Sequence, residues 1–264
     1  MPATEEGNEP DRRADNALIL DGIRALHTRL DDMERRVSPG HQLGFVPAWK
    51  RPTLGEARWQ VSLCAAAAVA LQLAVPDRLV LVRPAWLLPA AQGFLLVVLV
   101  AANPRHINRE SRVIRMLSLS MTAFLSLVNA WSVAKLAIGL VRGTEGQSAG
   151  PLLVTGGVIW LTNVIIFGLW YWEFDRGGPV ARAHATHLYP DFLFVQMTTP
   201  HLVPPHWEPA FSDYLYLSFT NATAFSPTDV MPMSRWAKMA MTAQAAVSIV
   251  TVALVVARAV NILK

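Results

Sequence analysis

Four histidines, His184, His187, His201 and His206, gather with Glu173 and Asp191 in one stretch of this chain. Imidazole nitrogen and carboxylate oxygen suit zinc and metals like it. His184-x-x-His187 is the pair nearest a ligand signature. Prolines separate the members, and a loop at headgroup level accounts for the same His, Tyr and Trp content. The four histidines are weak metal candidates, and no cofactor is expected. A second set has the chemistry of a solute path. In "FTNATAFSPTDVMPMS", Phe219–Ser234, Asp229 offers a cation-attracting carboxylate and Thr223, Ser226 and Thr228 offer oxygens beside it. Polar residues also recur inside apolar runs. Ser118, Thr122, Ser126, Asn129 and Ser132 keep near one helical face, as do Gln244, Ser248, Thr251 and Arg258. Such stripes either line water or let helices approach and hydrogen-bond. Packing is the preferred reading, for these and for Asn163, because hydroxyls and amides are the cheap polar groups in lipid.

The elements that carry these residues are apolar. Hydrophobic residues make up 53% of the 264 and charged residues 16%, against about 25% charged in a soluble domain. The mean hydropathy is +0.32. The apolar residues cluster in long runs, which predicts an all-α, multi-pass membrane protein. Cys64 is the one cysteine, so no intrachain disulfide can form. The opening "MPATEEGNEPDRR" lacks the basic-then-apolar order of a signal peptide. No Gly-rich phosphate loop or catalytic triad can be traced. Gly156-Gly157 lies in an apolar run and reads as a close-packing site, and Gly177-Gly178 after Asp175 reads as a turn.

Residues 1–14 are polar and expected to be disordered. Ile19, Ile23, Leu26, Leu30, Met33 and Val37 follow at alternating spacings of four and three, an a/d seam over 15–38. Ser38-Pro39-Gly40 ends it. The seam predicts an amphipathic helix that lies on a surface or self-associates as a short coiled coil. Residues 39–58 read as a linker. The domain 59–264 then holds five expected spans, at about 59–75, 85–102, 116–141, 151–172 and 236–263, with a short interfacial or re-entrant helix at about 212–224. Lys and Arg concentrate in the N-terminal region and at Arg105, Arg109, Arg112 and Arg115. The positive-inside rule therefore places the N-terminus in the cytoplasm, and five spans leave the C-terminus outside. The same distribution speaks for orientation over nucleic-acid binding.

Four segments carry a resemblance: "LWYWEFDRGGP" at Leu169–Pro179, "DYLYLSFTNATAFSPTDV" at Asp213–Val230, "SRWAK" at Ser234–Lys238 and "VNIL" at Val260–Leu263. They resemble a family of bacterial multi-pass membrane proteins of unknown function, domain of unknown function thirteen-forty-five. The resemblance covers about the last hundred residues. It implies a helical inner-membrane protein and no activity. Asp229 and Pro232 also have the spacing of the Asp and Pro that follow a potassium-channel filter. The filter's glycines are replaced by Ser226 and Thr228, and Pro227 fixes φ between them. A carbonyl-ring filter cannot be copied here. Ser234 is the plausible cap of the last helix, with Asp229 near its free N–H groups. The expected function is non-enzymatic: permeation of a small solute or ion, or a membrane scaffold, in a homo-oligomer within the lipid bilayer. The alternatives are a channel-like pore using 212–232 and a metal-dependent membrane enzyme on the loop 184–206.

Overall fold

A computed structural model describes residues 25–32, 46–102, 112–224 and 229–263. The chain divides into two compact units, Met1–Val46 and Pro47–Lys264. In the first, residues 25–32 are helical, with Leu26 and Leu30 exposed. The expected tail 1–14 and the rest of the seam over 15–38 lie outside the described residues.

The second unit is built from helices: α1 (Arg58–Leu73), α2 (Leu87–Ala102), α3 (Arg112–Val141), α4 (Ala149–Phe174), a short α5 (Pro179–Ala183), α6 (Phe211–Ala224) and α7 (Arg235–Ile262). The boundaries have local causes. Gly143, at φ +73°, follows α3 in the left-handed conformation that closes helix ends. At the start of α6 the Asp213 carboxylate accepts from the Ala210 N–H at 2.8 Å, the acid half of a capping box. At the start of α7 the Ser234 hydroxyl accepts from the Ala237 N–H at 3.3 Å. Ser234, not Asp229, is thus the cap. A two-stranded antiparallel ribbon joins β1 (Phe192–Phe194) to β2 (Val230–Pro232), with Phe192 opposite Pro232. Residues 189–205 form this strand, a single helical turn and a 3-10 turn, with no helix long enough to cross a bilayer.

Among the described residues three helices are long and apolar enough to cross a membrane: α3, α4 with the turn that extends it to Gly177, and α7. The other two expected spans appear as 16-residue helices, α1 and α2. At 1.5 Å per residue each is about 24 Å long, short of a 30 Å hydrocarbon core.

α4 is the central helix, packed on α1, α3, α6 and α7. Two apolar clusters fill the bundle. One holds Leu125, Leu169, Tyr171, Phe192 and Tyr214. The other, towards the opposite ends of α3, α4 and α7, holds Leu136, Leu152, Ile159 and Val255. α7 is inverted relative to a helix of a soluble protein. Its inward stripe includes Gln244, Ser248 and Thr251, while Met239, Ile249, Val250, Val252, Val256 and Val260 are exposed.

Gly156 permits the α4–α7 crossing. A Cβ there would lie 2.8 Å from both Val255 methyls, whereas Gly157 faces open space. Gly156→Leu should therefore cost about 1–3 kcal/mol by overpacking, and Gly157→Leu should stay within about 0.5 kcal/mol of wild type. Thermal unfolding of the two variants in detergent micelles checks the difference, and equal midpoints would refute this crossing.

Candidate functional site

The end of α4 supplies the densest chemistry of the fold. "WEFDRGG", Trp172–Gly178, leaves the helix through Arg176, Gly177 and Gly178 at φ +51°, +79° and +102°. The two glycines adopt this region without strain. Arg176 holds it at a cost of order 1–2 kcal/mol. Its backbone N–H donates to Asp191 Oδ2 at 2.9 Å, and its guanidinium donates to the Trp49 carbonyl at 2.7 Å.

This turn seats Asp175 in the interior, fully buried. Its Oδ1 accepts from the backbone N–H groups of Asp191 at 2.8 Å and Phe192 at 3.2 Å. Its Oδ2 accepts from the Tyr214 hydroxyl at 2.6 Å and Arg176 Nε at 3.4 Å. Burial pushes the Tyr214 phenol well above its ordinary value, so it stays a proton donor to Asp175.

Arg182, on α5, is the second buried charge. Its Nη1 donates to the carbonyls of Trp172 at 2.6 Å and Asp175 at 2.9 Å, closing the turn after α4. Its Nε and Nη2 reach Glu56 Oε1 at 3.0 and 2.6 Å. Glu56 Oε2 accepts from Trp172 Nε1 at 2.5 Å. Burial works against the guanidinium charge, but the Glu56 and Asp175 carboxylates outweigh it and hold the Arg182 pKa above the ordinary arginine value. Residues 48–58, read from sequence as the end of a linker, are thus structural. Trp49 joins the core, and Glu56 neutralises Arg182.

Glu173 turns to the other side of α4. The charges of Arg182, Arg115 and Arg58 favour its carboxylate form. Glu173, Ser118, Arg115 and Arg58 line, with α1, α2 and α3, a cleft of about 70 Å³.

The candidates read from sequence fall elsewhere. Gln244 is fully buried, and its amide is consumed inside the bundle. Oε1 accepts from Tyr171 at 2.6 Å and Asn221 at 2.8 Å, and Nε2 donates to Ser218 Oγ at 2.6 Å. Asn129 is buried beside Gln72, Ser132 and Thr162 at a void of about 20 Å³. Thr223 is exposed, and its hydroxyl donates to the Phe219 carbonyl at 2.9 Å. Asp229 is half-buried just before β2. Ser226 and Thr228 lie outside the described residues. His184, His187, His201 and His206 are exposed, and His184 Nδ1 pairs with the Val180 carbonyl at 2.8 Å. Among the described residues no group of three His, Cys, Asp or Glu could hold a metal ion.

Glu56, Asp175, Arg182 and Arg58 escaped the sequence reading. The available signal was the crowding of ionisable residues around apolar run ends, where a charge must pair or reach water.

Glu56→Ala leaves Arg182 buried without its carboxylate and should cost about 3–5 kcal/mol. Tyr214→Phe takes one donor from Asp175 and should cost about 1–3 kcal/mol. Unfolding in mixed micelles measures both, and a wild-type midpoint for Glu56→Ala would remove the pair from the structural account.

No family model, no curated protein and no solved structure matches this chain.

Proposed function

We propose that this chain is a multi-pass protein of the bacterial inner membrane that works by holding lipid or protein partners in the bilayer, without catalysis and without a conducting pore. The family resemblance of Asp213–Val230 is part of this proposal and stands on those residues. The single observation that carries the reading is the inversion of α7. Its exposed face is apolar, which suits hydrocarbon and not water. Its polar stripe turns inward, where Gln244 spends its amide on Tyr171, Asn221 and Ser218 and Ser248 accepts from Asn163 at 3.4 Å. A helix lining a hydrated path keeps such groups available to water and solute. Paired to one another they act as packing glue.

Within this proposal α1 and α2 complete five crossings, helped by local thinning of the bilayer around short helices. The N-terminus is cytoplasmic and the C-terminus outside. Leu26 and Leu30 are exposed, and they offer a seam through which copies associate.

Two measurements test this. Purified protein in liposomes should pass no potassium, proton or small-solute flux above protein-free vesicles, and Asp229→Ala should change nothing. Flux that Asp229→Ala abolishes would establish the pore reading instead. A reporter fused after Lys264 should be active only on the outer side; a cytoplasmic signal would overturn the five-span count.

A further inference from the structure

We infer that the cleft between α1, α3 and the end of α4 binds one anionic lipid through Arg58. Arg58 opens α1 and is 9% exposed. Its Nε has no hydrogen-bond partner among the described residues. A buried guanidinium N–H left unpaired costs free energy that a ligand oxygen recovers. Arg58 lines the cleft with Arg115, Glu173, Ser62 and Ser118. The guanidinium of Arg115 is held in place by the Gly177 carbonyl at 2.5 Å. The polar wall thus carries the Arg58 and Arg115 guanidinium groups beside Glu173, and Arg58 Nε is the group on it with an unmade hydrogen bond among the described residues.

The far wall is apolar, formed by Ala65, Leu96, Met121 and Leu125. Ala65 lies two turns beyond Arg58 on α1, about 10 Å deeper. The ligand that satisfies both walls has an anionic head and a hydrocarbon tail. Val61, Leu96, Ile114 and Val180 in the cleft wall are only half-buried, and Phe94, Val97 and Val98 are exposed on the same α2. The tail continues along this apolar surface. Arginine also suits a phosphodiester head, because its planar fork bonds phosphate oxygens in pairs. The inference rests on the membrane placement proposed above and not on whether the bundle conducts.

The test uses the 264-residue chain, delipidated in a non-ionic detergent. Dioleoyl phosphatidylglycerol, dioleoyl phosphatidylcholine and inorganic phosphate are titrated separately, and bound molecules are counted by native mass spectrometry. One phosphatidylglycerol should be retained per chain, about ten-fold more tightly than phosphatidylcholine. Inorganic phosphate should neither bind nor displace it. Arg58→Gln should remove the preference, and Arg58→Lys should restore part of it. Leu96→Trp, which fills the apolar wall and leaves Arg58 intact, should weaken retention of the same lipid and serves if Arg58→Gln does not fold. Equal retention of the two lipids overturns the proposal, as does wild-type behaviour of either Arg58→Gln or Leu96→Trp. Displacement by inorganic phosphate replaces it with a free-anion site. Solute flux with lipid preference intact would count against the non-conducting reading alone.

Discussion

A carboxylate with no access to water organises this fold. Asp175 is fully buried at the point where α4 ends. A buried ion survives only if its lone pairs are filled. Two backbone N–H groups, a phenol and a guanidinium fill them. The phenol belongs to α6, and the backbone donors belong to the start of β1 and the residue before it. One carboxylate thereby fixes the distance of α6 and the ribbon from α4. Arg182 acts in the same place through the backbone, tying the carbonyls of Trp172 and Asp175 to Glu56. Buried pairs of this kind add little stability over apolar packing, but they permit few alternative geometries.

Beyond this junction the bundle obeys the opposite rule. Along the contact of α4 with α7 and α6, small and uncharged polar residues are set among the buried apolar ones. Gly156 admits Val255, Gly168 lies against the Leu215 backbone, and Asn163 meets Ser248. Between helices in lipid, burial of apolar area gives no advantage, so close approach and paired amides take over. The charged junction sits at the end of α4 and the uncharged seam along its length. That order follows from solvation: charges are tolerable where headgroups and water are near, and amides are tolerable throughout.

The helices were legible because their signal is local. Apolar runs bounded by Gly, Pro and charge gave α3, α4, α6 and α7 to within a few residues, and Ser234 could be assigned as a cap from its position alone. Gly156 was legible as a packing site for the same reason. What the sequence hid is pairing across distance. Glu56 and Arg182 are 126 positions apart, and no periodicity connects them. Residues 39–58 look like a linker because Pro, Gly and Arg mark turns. Whether such a segment also packs depends on partners that only the fold supplies. The polar stripes were visible, but their use was not: Gln244 can line water or bind Asn221 with equal ease on paper.

The stretch around Asp229 shows how far a pore-like pattern constrains geometry. A filter loop aims its backbone carbonyls at an axis shared between copies. Here both flanks are committed within one chain. α6 is locked on the near side, where Ser218 donates to the Val164 carbonyl at 2.6 Å and Asn221 to the Met241 carbonyl at 3.0 Å. On the far side β2 pairs with β1, the Met233 N–H donates to the Asp191 carbonyl at 2.7 Å, and Trp236 Nε1 donates to the Asp191 carboxylate at 2.7 Å. Asp191 itself is held by the Arg176 N–H at the turn after α4. The chain before α7 is thus anchored to the same junction that Asp175 builds. Pro232, in β2, and Trp236, in the first turn of α7, therefore lie in a segment strapped to its neighbours, and Asp229 stands half-buried just before it.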